Sequence, residues 1–310
     1  MIKILVTGAA GNIGSSLVEH LLAKEKYHIV AVDNLSTGNI YKLPGRSDKL
    51  KFIKADVNVY NDISAIFSSY HFDYIFHFAA LVGVKRTLEN PLSVLKDIDG
   101  IRNVLSLAKN SGSKRIFYSS SSEVYGEPVS IPQNENTTPL NSRLPYAIVK
   151  NIGEAYCRSY FQEHDLSYTI FRFFNTYGPN QSEDFVIPKF LNAALENKPL
   201  IIYGDGSQTR TFCFINDNVE TMTKCLESNL FINDIINIGS NLEYSILDLA
   251  KIILRLTNSK SEIIHVQPLA EGDMTRRCPD NTKMNNVLMR SLVSLEEGLD
   301  IMIRDNKNFK

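Results

Sequence analysis

Short apolar runs alternate with amphipathic stretches through the first two-thirds of the chain. The run "IKILVT" (2–7) predicts a buried strand, and Ile13, Leu17, Val18, Leu21 and Leu22 recur at helical spacing between Asn12 and Lys24. Five further runs, "HIVAVD" (28–33), "KFIKAD" (51–56), "DYIFHFAA" (73–80), "KRIFYSS" (114–120) and "YTIFRFFN" (168–175), predict strands. Helical patterns fall between them, notably at 91–111 and 145–163. Such alternation predicts an α/β fold, a doubly wound parallel sheet of Rossmann type with helices on both faces. Ligands of these sheets bind beyond the carboxyl ends of the strands, which directs attention to the residues after each run.

After Pro179 the rhythm loosens. A helix at 185–197, a strand "LIIYG" (200–204) and the turn "GDGSQTR" come first, then helices at 217–228, 245–257 and 294–304 around a strand at 234–238. The expected division is a sheet domain at 1–180, to which 211–243 returns, and a smaller C-terminal substrate-binding lobe from 181–210 and 244–310.

Composition removes several classes of partner. A length of 310 residues is enough for one large domain, or a domain with a lobe. A net charge of -1 leaves no electrostatic footprint for nucleic acid or an acidic membrane surface, and no apolar run reaches membrane-spanning length. The opening "MIKILVTGAAGNIG" lacks the apolar core and cleavage site of a secretory signal. Cys157, Cys213, Cys225 and Cys278 are scattered, with no C-x-x-C pair and no nearby His. Reduced structural thiols, no metal site and a cytoplasmic protein are expected.

Candidate chemistry begins with "VTGAAGNIG", where Gly8, Gly11 and Gly14 follow a strand and open a helix. Gly8 allows a tight turn, Gly11 a close approach of backbone to pyrophosphate, and Gly14 tight helix–strand packing. Asp33 closes the second strand, placed to accept from ribose hydroxyls and to repel a 2′-phosphate, so NAD is expected over NADP. Its other reading is a loop aspartate capping the next turn. Asp56, at the end of the third strand, and the amide of Val57 are candidates for the adenine edge. Further on, "RLPYAIVKNIGE" sets Tyr146 and Lys150 four apart on one helix face. By itself that pair is also compatible with an ordinary helix surface.

Taken together, "TGAAGNIG" (7–14), "DNLSTG" (33–38), "HFAA" (77–80), "SSSSEVYG" (119–126), "YAIVK" (146–150), "RFFNTYGP" (172–179), "YGDGSQTRTF" (203–212) and "EGDMTRRCPD" (271–280) resemble the extended short-chain dehydrogenase/reductase superfamily. The likeness is to its NAD-dependent nucleotide-sugar epimerases and dehydratases. The resemblance implies that Tyr146 is the catalytic base, that Lys150 binds the nicotinamide ribose, and that Ser121 hydrogen-bonds the sugar O4. An adjacent ammonium and the positive nicotinamide ring are both expected to favour the phenolate of Tyr146 and so to lower its pKa. Ser119, Ser120 and Ser122 are expected to satisfy backbone groups, and Tyr125 to pack. The resemblance also implies cofactor contacts from Asn12, Ile13, Asn34 and Ala79. It further implies diphosphate contacts from Asn175 and Arg210, and a nucleotide base, usually uracil, against Tyr203.

Within that family the chain sends mixed signals. Glu123 stands where decarboxylases and dehydratases carry a glutamate, whereas Ser122 replaces the acid that 4,6-dehydratases use. "YAIVKNIGE" lacks the acidic–Gly-Lys-Arg continuation of UDP-glucuronate decarboxylases. Ala270 stands where galactose-type epimerases have an arginine, Arg277 falls at the position that gates their sugar pocket, and Asp97 replaces a usual asparagine. The expected activity is NAD-dependent 4-epimerisation of a nucleotide-diphosphosugar of UDP type through a 4-keto intermediate. Decarboxylation or 4,6-dehydration is the alternative, and a non-catalytic NAD sensor a third. A homodimer is expected from the resemblance, with Ile101, Val104, Leu105 and Ala108 either on its surface or facing the sheet.

Overall fold

The computed structural model describes residues 1–267 and 276–308. From the N-terminus run β1 (Ile2–Thr7), α1 (Asn12–Leu22), β2 (Tyr27–Asp33), β3 (Leu50–Lys54), α2 (Tyr60–Ser69), β4 (Tyr74–His77), α3 (Val84–Glu89), α4 (Pro91–Leu95), α5 (Asp97–Asn110) and β5 (Arg115–Ser121). There follow α6 (Pro145–His164), β6 (Ser167–Phe173), β7 (Thr176–Tyr177), α7 (Val186–Leu195), β8 (Leu200–Tyr203), β9 (Thr209–Thr211), β10 (Cys213–Phe214), α8 (Ile215–Glu227) and β11 (Asp234–Ile238). Last come β12 (Glu243–Ser245), α9 (Ile246–Thr257), β13 (Ile263–Val266), α10 (Thr282–Leu288) and α11 (Leu295–Asn308).

Seven strands form one parallel sheet in the order β3-β2-β1-β4-β5-β6-β11. Strand order reverses between β1 and β4, which opens a crevice at their carboxyl ends, where ligands of such sheets bind. Alternate residues feed two cores. Ile4, Val6, Ile29 and Phe76 pack under α1 and α8, while Leu5, Val30, Ile75 and Ile116 pack under α2, α5 and α6. The first core runs on without a break into Leu191, Leu200, Leu249, Met284 and Leu299, so the C-terminal lobe shares apolar packing with the sheet. Ile101, Val104, Leu105 and Ala108 belong to the second core and face the protein's own sheet.

Some elements differ from expectation. Strands stop early at their carboxyl ends: β3 at Lys54, β4 at His77 and β6 at Phe173. The helix expected at 91–111 is divided into α4 and α5, with helical backbone at Lys96 between them (φ -63°, ψ -23°). Four helices or strands near the site, α3, β7, β9 and β10, are too short to show a period. α6 starts with Pro145 in its first turn, where a missing N–H costs nothing, and ends at Asp165 in the left-handed conformation. All four cysteines are buried and unpaired. Among the described residues no helix is long and apolar enough to cross a membrane.

Candidate active site

At the end of β1 the backbone turns through Gly8 at φ +66°. A Cβ on Gly8 would lie 2.6 Å from the Ala79 nitrogen, and one on Gly14 would lie 2.2 Å from the Gly8 carbonyl oxygen. Both positions therefore exclude a side chain, and α1 packs hard against the turn. Gly11 caps α1 with no side-chain hydrogen bond, and the first turn carries no acid. The amides that start with Asn12 and Ile13 are thus left to an anion. Asn12 Oδ1 is buried with no hydrogen-bond partner. A cradle that admits only glycine, a bare helix N-terminus and an orphaned acceptor fit a dinucleotide.

Asp33 is 8% exposed and works in two directions. Its Oδ1 accepts the Leu35 N–H (2.8 Å), the turn bond of the capping reading, and its Oδ2 accepts the Ala10 N–H (2.9 Å) inside the glycine loop. Asp56 lies two residues past β3, and not within the strand. Asn34 Nδ2 donates to its Oδ2 (3.0 Å), joining the ends of β2 and β3. Val57 is buried beneath α5, with its carbonyl accepting from Asn103 Nδ2 (3.0 Å). Ala79 N–H points at Thr7 Oγ1 (3.4 Å), which also pairs with His77 Nδ1 (2.8 Å). Burial first, and then Lys150, push His77 down to about 3, so that ring is neutral.

Tyr146 occupies the first turn of α6, and Lys150 follows one turn later with its Nζ 5.7 Å from the Tyr146 ring centre. Lys150 Nζ donates to the Ser119 carbonyl at 2.7 Å. Ser121, at the end of β5, accepts the Glu123 N–H on its Oγ (3.2 Å) and favours the ionised Tyr146 phenol. The expected lowering of that phenol is not what the protein alone produces. Burial, and then the Glu123 carboxylate, raise it, and the Ser121 hydrogen bond and Arg277 oppose them only in part. Burial also brings Lys150 down to about 8, with Asp97 opposing.

The serine run does more than satisfy backbone. Ser120 Oγ donates to Glu154 Oε1 (2.6 Å), and Glu154 forms a fully buried ion pair with Arg172 (2.7 Å), whose Nη1 reaches Tyr125. This network holds α6 to β5 and β6. Sequence reasoning passed over Glu154, although it stands four residues after Lys150 on the same helix face.

Glu123 forms a buried ion pair with Arg277 at 2.8 Å, leaving Glu123 Oε2 without a partner. The segment carrying Arg277 is laced to a distant loop: Gln133 N–H donates to the Cys278 carbonyl and Asp280 N–H to the Gln133 carbonyl, both at 2.8 Å. Asn175 Nδ2 donates to the Thr211 carbonyl (3.0 Å), next to buried Arg210 on β9. Tyr203 ends β8 and is 44% exposed. Ala270 and the first five residues of "EGDMTRRCPD" lie outside the described residues.

Residues 4–239 match the NAD dependent epimerase/dehydratase family. The chain belongs to this family. It is 35% identical to the UDP-N-acetyl-alpha-D-glucosaminuronate decarboxylase of Bacillus cytotoxicus, over 96% of this chain and 95% of that protein. The UDP-glucose 4-epimerase of Thermotoga maritima, solved with UDP-glucose, superposes with a TM-score of 0.93 at 30% identity, each chain covered in full. The UDP-glucuronic acid 4-epimerase of Bacillus cereus, solved with UDP-glucuronic acid and NAD, does so with a TM-score of 0.90, also at 30% identity and full coverage. This family member is therefore an NAD-dependent enzyme of the nucleotide-sugar epimerase/dehydratase type, and its relatives include both epimerases and a decarboxylase.

Proposed function

We propose that this enzyme oxidises C4 of a nucleotide-diphosphate-linked sugar acid and returns the 4-keto sugar reduced on its other face, a 4-epimerisation. The observation that supports it is the grouping of Tyr146, Ser121 and Lys150 on the crevice side of β5 and α6, beside a buried cation, Arg277. Bound NAD would accept the C4 hydride and give it back. Gly8, Gly11, Asn12, Ile13 and Gly14 would hold its pyrophosphate, Asp33 and Asn34 its adenosine ribose, Asp56 and Val57 its adenine, and Ala79 with Lys150 its nicotinamide end. Tyr146 takes the proton from the sugar 4-hydroxyl, with Ser121 bridging phenol and O4. The raised phenol of the free protein needs added positive charge to become a base, so proton abstraction is coupled to binding of the oxidised cofactor. Asn175 and Arg210 face the diphosphate, with Tyr203 against the nucleotide base, for which uracil is expected. Arg277 meets the sugar carboxylate by exchanging it for Glu123.

A second reading, decarboxylation, is favoured by Glu123 itself. A 4-keto hexuronic acid is a β-keto acid, and a carboxylate released from Arg277 next to Glu123 is poised to leave as carbon dioxide. Incubation with UDP-glucuronic acid and UDP-N-acetylglucosaminuronic acid, with UDP-glucose and UDP-N-acetylglucosamine as neutral controls, separates the readings by product mass. An isomer of unchanged mass supports epimerisation, and loss of carbon dioxide supports the second reading. Equal turnover of neutral and acidic sugars would remove the assigned role of Arg277. In Glu123→Gln the epimerase keeps most of its activity, whereas a decarboxylase accumulates the 4-keto sugar.

The enzyme is further proposed to be a cytoplasmic homodimer. The surface is not the stripe on α5, which is buried, but exposed Leu92 and Leu95 of α4 with Ile148 and Ala155 of α6. Sedimentation of the Ile148→Asp variant should give only a species near 35.0 kDa where the parent gives twice that mass.

A further inference from the structure

Gln133 stands on the loop between β5 and α6, and its backbone is fixed from two sides. Its N–H donates to the Cys278 carbonyl (2.8 Å), and its carbonyl accepts from the Asp280 N–H (2.8 Å) and from Asn237 Nδ2 (2.9 Å). The short ribbon so formed has two faces, because side chains alternate along extended backbone. On one face Asn134 Nδ2 donates to Asp280 Oδ2 at 2.9 Å. On the other Gln133 lies opposite Pro279, and Arg277 comes two residues before Pro279. From this face Arg277 reaches Glu123 at 2.8 Å. The Gln133 side chain therefore projects to the side of the buried ion pair. It is itself fully buried, with no partner for either Nε2 or Oε1. Glu123 Oε2 is buried and unmet as well. A carboxamide carries two N–H donors and an acceptor oxygen, and leaving them buried without partners costs stability. The fold carries that cost next to a carboxylate whose second oxygen also lacks a donor.

We propose that Gln133 is a positioning residue for sugar-acid recognition: its amide takes over the Glu123 carboxylate when Arg277 turns to a carboxylate on the sugar. This rests on the reading that Arg277 meets a sugar acid. In the free protein Glu123 is held by Arg277. When the sugar carboxylate draws the guanidinium away, Glu123 turns its oxygens to Gln133 Nε2 and stays ionised. Without that amide the released carboxylate would be buried and unpaired, and would take up a proton instead. A neutral amide replaces only part of what the guanidinium supplied. The exchange therefore needs the pull of a second carboxylate on Arg277, and a neutral sugar leaves the first pair in place. Gln133 thereby sharpens the choice of acidic over neutral sugars. The titratable groups placed against Glu123 are Arg277 and the Tyr146 phenol.

Calorimetry on the full chain with NAD, in a Tyr146→Phe background that binds sugars with little turnover, tests the exchange. UDP-glucuronic acid and UDP-glucose are titrated in buffers of different ionisation enthalpy, which reads the protons taken up on binding. With Gln133 present, the acidic sugar should bind without proton uptake. Gln133→Met should weaken it roughly tenfold to a hundredfold, the size of a hydrogen bond to a charged group, and should bring uptake of up to one proton at about pH 7. UDP-glucose should bind alike to both. With Glu123→Gln already in place, adding Gln133→Met should bring no proton uptake. Acidic-sugar affinity within about twofold of the unchanged Gln133 protein, or binding without proton uptake, overturns the proposal. Chemical denaturation of the free protein gives a second reading. A carboxamide held in reserve contributes no bonds there, so Gln133→Met should be at least as stable as its parent. A marked loss of stability would show that Gln133 already has partners, and would overturn the proposal too. If UDP-glucuronic acid binds no better than UDP-glucose even with Gln133 present, the role of Arg277 falls and this inference with it. A preference for the acid that survives in Gln133→Met removes this inference alone.

Discussion

The two halves of the crevice are built by different means. The half that fits a dinucleotide is made of backbone: a turn that only glycine can take, a helix end with free amides, and one aspartate bonded to the Ala10 N–H between them. The half proposed to hold the sugar nucleotide is made of side chains from segments far apart in sequence, with Glu123 after β5, Asn175 after β6, Arg210 on β9 and Arg277 near α10. A backbone site tolerates little because every atom is fixed by its neighbours. A side-chain site can be rewritten one residue at a time, and this is how one fold carries several outcomes for the same ketone.

The sharpest test of the contrast sits where the halves meet. Tyr146→Phe removes one hydroxyl and should lower turnover by roughly 10² to 10⁴ while NAD binding is retained. Turnover within about threefold of the parent would show that the base lies elsewhere. Next is Arg277→Met, which strands Glu123 as a buried unpaired carboxylate. It should lower unfolding free energy by about 3–5 kcal/mol, and Glu123→Gln with Arg277→Met should recover most of it. Chemical denaturation of the three variants checks this, and an unrecovered double variant would mean that Arg277 holds the lobe by other contacts. On the backbone side, Gly14→Ala forces α1 off the Gly8 carbonyl and should cost about 1–3 kcal/mol of stability together with NAD affinity. A variant as stable as the parent would contradict the tight packing of that turn. Smallest is Asp33→Ala, which should weaken NAD by roughly tenfold and narrow its preference over NADP. A parent protein that already prefers NADP would refute the role of this carboxylate.

The same contrast explains what was legible in the sequence. All seven strands of the sheet, the glycine loop, Asp33 and the Tyr146–Lys150 face show within short windows, because strand burial, turn geometry and helix period are local. Glu123 and Arg277 were each visible as departures from relatives, but their ion pair joins residues that no periodicity links. The rise of the Tyr146 phenol in the protein without cofactor has a related origin. It comes chiefly from burial by several elements, whereas the adjacent lysine was the part that spacing reveals. The stripe on α5 shows the limit of an apolar pattern, which states that a face is covered without naming what covers it. In this protein the cover is the sheet.

One consequence follows from the pairing of Gln133 with the segment 278–280. During synthesis the last strand of the sheet is complete once residue 238 has emerged, and the elements of the crevice from β1 to β11 are then all present. Arg277 arrives almost forty residues later and reaches Glu123 only by docking its segment onto a loop made long before. A chain interrupted between these points would carry the glycine turn, Tyr146 and Lys150, but would leave Glu123 without its ion-pair partner. The ion pair thus acts as a completion mark for the molecule, formed only after nearly the whole polypeptide has been made.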